Sequence, residues 1–176
     1  MRELQRTRGG GKAGTKEFPR SDRRDRLGLV ASWRQFVEAS PEFARRVEAL
    51  FTAYKHHTMA TVRKDGAPRV SGTEVEIDSG ELCLGMMPAT RRAADLRRDP
   101  RIAIHSHSVD PPEGDPSAWS GEAKLFGRAD ELIGHERTGD RFRVDIEQVV
   151  LTWLNSGVLA IETWTPAHGL VRSERE

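Results

Sequence analysis

The stretch Leu82-Cys83-Leu84-Gly85-Met86-Met87-Pro88-Ala89-Thr90-Arg91-Arg92-Ala93-Ala94-Asp95-Leu96-Arg97-Arg98-Asp99-Pro100 decides how the rest of the chain reads. It has the form of a strand, a tight turn, a short helix and a stop. Thr90 is a good helix N-cap, because its hydroxyl can accept from backbone N–H groups of the first turn. Arg91 and Arg92 follow at once, at the helix end where the peptide dipoles disfavour positive charge. Two guanidiniums there make sense if an anion such as a phosphate lies between them and the exposed N–H groups. A solvated basic turn is the competing reading of this stretch alone.

The chain of 176 residues is long enough for one domain with an appendage. Charged residues make up 31% and the hydrophobic set 36%, lean for a globular protein, and part of the leanness is local. Residues 1–26 hold nine Lys/Arg against four Asp/Glu, so a basic arm of net +5 precedes a body of net −4. The arm has almost nothing apolar to bury and reads as disordered. It lacks aromatic residues on which bases could stack, so a solubilising tail is the reading preferred over nucleic-acid binding. No segment is long and apolar enough for a membrane span, and no secretory leader is visible. The single cysteine, Cys83, excludes an internal disulfide and a cysteine-based zinc cluster, and the cytoplasm is the compartment expected.

Outward from the opening stretch, the pattern is mostly that of strands. Ser40-Pro41-Glu42 starts a helix, with Ser at the N-cap and Pro at the first helical position, and Phe43, Val47, Leu50, Phe51 and Tyr54 continue it at helical spacing to about residue 55. Strands are then predicted over 58–63, 68–77, 81–87, 101–108, 119–132, 142–154 and 158–164. Asp65-Gly66 and Ser79-Gly80 supply hairpin turns. Asp110 to Pro116 is the strongest loop signal. About six strands with local connections and one inserted helix predict a mainly β protein with peripheral helices, built on an antiparallel barrel over about 57–164 within a domain of 27–176. A barrel that small fills with side chains, so a large ligand has to sit outside it, at a subunit interface.

Other constellations are weaker. His105 and His107, two apart on a predicted strand, face the same way, but spacing offers no third metal ligand. His56 and His57 point to opposite faces. Cys83, between Leu82 and Leu84, reads as buried rather than nucleophilic. No Gly-x-Ser-x-Gly elbow, Walker loop or Gly-x-Gly-x-x-Gly turn is present. Arg69 begins the strand before the opening stretch and could add a further cation.

The block Thr90-Arg91-Arg92, three residues, Leu96, two residues, Asp99-Pro100 resembles the flavin split barrels of the pyridoxamine 5'-phosphate oxidase superfamily. The hairpin Thr58 to Val62 and Asp65 to Val70, and the segment Gly121 to Ala129, are similar to that family as well. The resemblance covers about 51–164. It implies a six-stranded antiparallel split barrel, a homodimer, and FMN in a groove between subunits. By it, Thr90, Arg91 and Arg92 bind the phosphate; Arg69, Val70, Ser71, Gly72 and Thr73 run along the ribityl chain and ring; Met86 and Met87 lie near the cofactor, and Lys124 contacts it. Arg92 replaces the family's Lys with a planar fork. Glu122 stands where the true oxidases have Gln, and their C-terminal Arg-x-His is missing. The chain looks more like the actinobacterial branches that use FMN or the 8-hydroxy-5-deazaflavin coenzyme as oxidoreductases on assorted small molecules. The resemblance names no catalytic residue and no metal. The alternative is a non-enzymatic module of this fold holding flavin or haem, with His105, His107 and His168 as the residues that would point to haem.

Overall fold

The computed structural model describes residues 29–134 and 138–175. The basic arm of residues 1–26 lies outside them. Two helices come first, α1 (Trp33–Ala39) and α2 (Pro41–Thr52). Ser32 and Gln35 cap α1 reciprocally: Ser32 Oγ accepts from the Gln35 N–H at 3.2 Å, and Gln35 Oε1 accepts from the Ser32 N–H at 2.9 Å. Ser40 occupies the N-cap of α2 without a side-chain bond, so Pro41 at the first position is the working start signal there. The predicted helix to residue 55 ends instead at Thr52. Phe43, Ala44, Val47 and Phe51 form its buried face.

The strands are β1 (His57–Val62), β2 (Pro68–Thr73), β3 (Val75–Asp78), β4 (Glu81–Met86), β5 (Arg101–His105), β6 (Glu122–Glu131), β7 (Asp140–Asn155), β8 (Val158–Thr165) and β9 (Gly169–Arg175); α3 (Arg91–Arg98) joins β4 to β5. All pairings are antiparallel, and the main path runs β2-β1-β5-β6-β7-β4-β3. The two ends of that path, β2 and β3, are consecutive in the chain, separated by Glu74 alone. The sheet therefore closes into a ring through one strand that changes neighbours at Glu74. Counted that way the ring has six strands, as the sequence predicts. The further count, nine among the described residues, comes from this break and from the β8–β9 hairpin added to β7. Sequence reading gave only a brief pairing over 170–172 where β9 runs from Gly169 to Arg175, because its side chains are nearly all exposed and show no period-2 burial.

β7 is long enough to serve two neighbours. Residues 140–144 pair with β4, and residues 149–155 pair with β8. A bulge separates the halves, since Phe126 faces Gln148 while Gly127 faces Ile146. Gly127 is required there, because a Cβ would strike the Asp145 carbonyl. The extended segment before α1 also docks at this bend: Ala31 and Ile146 exchange backbone bonds of 2.9 and 2.7 Å.

Inside the ring, Met59, Leu82, Leu84, Ile104, Leu125, Val144 and Ile146 are buried. The helices close one end with aromatic contacts. Phe36 meets Trp33 at 5.4 Å, Phe43 at 5.8 Å and Trp164 at 4.7 Å between ring centroids. Each such fully buried ring contributes about 1.5–3 kcal/mol over an exposed one. Among the described residues no helix is long and apolar enough to cross a membrane.

Candidate functional site

The break in the ring makes the site. Where β2 and β3 part, a cavity of about 1130 Å³ opens, lined by Gly72 to Glu76, by Gly85 to Pro88 at the end of β4, by Arg92, and by Tyr54 to His56 beyond α2. Small-molecule pockets run from about 300 to 1,000 Å³, so the space suits a cofactor-sized ligand. Two of its walls are bare backbone. A Cβ added at Gly72 or Gly85 would meet no protein atom within 4 Å, which leaves room for a ligand to lie flat against both strands.

The turn Pro88-Ala89-Thr90 delivers α3 to this cavity. Ala89 takes the left-handed conformation, φ 58°, and Thr90 Oγ1 accepts from the Ala93 N–H at 3.3 Å. Arg92, in the first turn, reaches across to donate from Nη1 to the Gly72 carbonyl. Its Nε is buried and has no hydrogen-bond partner among the described residues. The other cavity cations are matched by carboxylates: Arg141 by Glu76 at 2.9 Å, Lys55 by Glu74 at 3.3 Å. Among the described residues, Arg92 is thus the cavity arginine whose charge no carboxylate offsets.

The residues expected from sequence divide. Gly72, Thr73, Met86, Met87 and Arg92 line the one cavity. Thr90 stands beside it as the helix cap, and Arg91 is exposed without lining it. Arg69 is turned toward α3, where its Nε donates to Asp95 Oδ2 at 2.6 Å. Asp95 also accepts from Thr61 at 3.1 Å and from Arg98 at 3.3 Å. Burial by itself would raise the Asp95 carboxyl, and the bonds from Arg69, Thr61 and Arg98 overcome that and hold it below its ordinary value. Val70 and Ser71 do not line the cavity; Val70 is 70% exposed. Lys124 shares a cross-strand row with Gly72, through Thr58 and His105, which puts it three strand spacings away, ~14 Å. Its Nζ lies 2.5 Å from Glu122 Oε1, and His105 Nε2 lies 3.3 Å from Glu122 Oε2.

His105 and His107 do not act together as sequence spacing suggested. The strand ends at His105, and the His107 ring leaves to stack on Tyr54 with centroids 4.2 Å apart. Cys83 is buried, and burial pushes its thiol up, away from reactivity. Sequence reading missed Tyr54, Glu74, Glu76, Gly85 and Arg141. Gly85 alone had a signal, a glycine inside a strand pattern, which marks close approach by another group.

No protein-family model and no curated protein matches the chain. Solved structures do. A pyridoxamine 5'-phosphate oxidase-related, FMN-binding protein from Nostoc punctiforme aligns with TM-score 0.53 and 9% identity over 78% of this chain and 96% of its own. An FMN-binding protein from Syntrophomonas wolfei aligns with TM-score 0.50 and 12% identity over 69% of this chain and 89% of its own. A heme-binding protein from Mycobacterium smegmatis aligns with TM-score 0.52 and 18% identity over 69% of this chain; the match spans 58% of that longer protein. At these identities the likeness concerns the fold.

Proposed function

From a split-barrel fold shared with pyridoxamine 5'-phosphate oxidase-like and FMN-binding proteins, we propose that this chain is a flavin-dependent oxidoreductase acting on a small molecule. Its cofactor is FMN or the related 8-hydroxy-5-deazaflavin coenzyme. The observation that carries the reading is Arg92: a cavity guanidinium at a helix N-terminus, with a buried Nε left open and, among the described residues, no carboxylate to offset it. An anionic phosphate completes that arrangement. The bare strand backbone at Gly72 and Gly85 leaves a path for the rest of the cofactor, with Met86 and Met87 alongside. A flavin bound here supplies the redox chemistry. The protein binds the phosphate, orients the ring system and shields it from water.

A second copy of the chain has a surface to dock on. Val70, Ala60, Ala103 and Phe126 are cross-strand neighbours on the outer face of β2-β1-β5-β6, with Val70 70% and Phe126 36% exposed. Such a homodimer buries this band and brings its own elements toward Lys124 and the cavity mouth. Haem is the rival occupant. His105, His107 and His168, the histidines that sequence reading associated with it, do not line the large cavity; the histidine that does is His56, 3.9 Å from Glu74.

Fluorescence titration tests the proposal. FMN should bind in the micromolar range, and riboflavin, which lacks the phosphate, at least about tenfold more weakly, since a charge-assisted bond contributes about 1.5–3 kcal/mol. Gly85→Val should abolish FMN binding while leaving the denaturation midpoint unchanged, because the added side chain enters open space. Equal affinity for FMN and riboflavin removes the phosphate from Arg92, and no binding of FMN or the deazaflavin overturns the function.

A further inference from the structure

Tyr54 stands in the walls of two cavities. It borders the large one at the break in the ring and a smaller one of about 270 Å³ that also touches Leu50, Ala53, His107 and Leu151. It lies beyond the last turn of α2, so helical hydrogen bonds do not hold it. What faces it is the His107 ring, inclined by 30°. The backbone of His107 is tied to β1: its N–H donates to His57 Nδ1 at 3.2 Å. His57 is itself 3% exposed, paired with Thr73, with its ring edge-on to Phe51 at 5.2 Å. To accept that bond Nδ1 must be unprotonated, so the neutral ring carries its proton on Nε2. Nε2 is buried and has no hydrogen-bond partner among the described residues.

We propose that His57 is a pH-sensitive latch: a second proton, on Nδ1, breaks its bond to the His107 backbone and frees the Tyr54–His107 ring pair, whose Tyr54 borders both cavities. The imidazolium sets one N–H against another, and it places a charge where water cannot reach it. Apart from the Phe51 and Tyr54 carbonyls, the groups around it do little to help that charge. On the α2 side stand Tyr54, Lys55 and His56; Glu74, where β2 passes into β3, is engaged by Lys55 at 3.3 Å and His56 at 3.9 Å. On the β5 side His105 Nδ1 faces the Ser106 carbonyl at 2.7 Å, and its Nε2 faces Glu122. Burial foremost pushes the His57 imidazole below its ordinary value of 6.5; His107 and His56 push the same way, against the Phe51 and Tyr54 carbonyls. The latch is therefore intact above that ordinary value and opens as pH falls through the lowered one.

The effect on a flavin rests on the function proposed above; the latch does not. Nitrogen-resolved NMR of the ligand-free chain at about pH 7.5 should show His57 as the Nε2–H tautomer. Acidification should move the Tyr54 ring signals and lower the protection of the His107 amide, taken relative to open-chain exchange at the same pH, in step with His57. His57→Asn keeps an acceptor for the His107 N–H but does not titrate, so those signals should hold their neutral-pH positions down to about pH 5. An Nδ1–H tautomer in the wild type, or a His57→Asn variant that responds to acid like the wild type, overturns the latch; the tautomer decides alone if the variant does not fold. FMN affinity should fall about fivefold over the same range in the wild type and stay level in His57→Asn. Affinity that stays level in the wild type while His57 titrates overturns the release of the cavity wall. Absence of FMN binding at every pH counts against the flavin, and the histidine signals still decide the latch.

Discussion

The two ends of α3 use the same residue in opposite ways. Toward its C-terminal end Arg97 donates to Glu131 at 2.9 Å and to Asp140 at 2.7 Å, and Arg98 joins Arg69 on the buried Asp95. At the N-terminal end Arg92 has a backbone carbonyl for a partner and an Nε with none among the described residues. One end spends its positive charge on the fold, and the other leaves it facing a cavity. The difference teaches that a count of arginines in a basic motif says little about which of them can meet a ligand; the carboxylates within reach decide, Asp95 of α3 itself, Glu131 of β6 and Asp140 of β7.

That contrast can be broken most forcefully at Asp95. Asp95→Ala strands the Arg69 guanidinium, three-quarters buried, without its carboxylate. Urea denaturation should show a loss of about 3 kcal/mol, near the lower limit for breaking a buried pair. A loss under about 1 kcal/mol would mean the cluster is not structural. Arg92→Ala is the complementary test. It should weaken FMN binding by about 1.5–3 kcal/mol and cost less than about 1 kcal/mol of stability. The reverse result, unchanged affinity with a lower denaturation midpoint, would place Arg92 with the structural arginines.

The smallest effect belongs to the surface pair just beyond the helix. Hydrogen bonding from Arg101 first of all holds the Asp99 carboxyl down to about 2. With its folded value depressed, Asp99 stabilises the chain above its ordinary value of 3.8, and this is lost as pH falls through about 2. Arg101 is 63% exposed, so solvent screening keeps the gain below about 1 kcal/mol. Denaturation midpoints of the wild type and Asp99→Asn should converge as pH drops from 4 toward about 2; parallel curves would show that the pair contributes nothing.

Local chemistry was legible in the sequence wherever neighbours along the chain decide it. The Thr90 cap, the stop at Asp99-Pro100 and the hairpin turn at Asp65-Gly66 all follow from residues a few positions apart. The end of α2 was not legible, because Tyr54 keeps the helical apolar spacing yet turns out to face His107, which is distant in sequence and lies just past the end of β5. Arg69 was read as a ligand residue for the same reason: its carboxylate, Asp95, is 26 residues away and meets it only after folding. Glu74 looked like one more position in a continuous strand, and nothing local says that the sheet changes partners there.

That change of partners also orders assembly. The hairpins β1–β2, β3–β4 and β6–β7 are local and can form early, each from strands adjacent in the chain. The ring closes only when β7 returns to β4 across α3, β5 and β6, a closure that pays its loop entropy before its contacts are made. The cavity walls at Gly72 to Glu76 and at Gly85 are complete only after that step. A ligand of this cavity therefore recognises the finished ring alone and acts by slowing its reopening, not by seeding its formation.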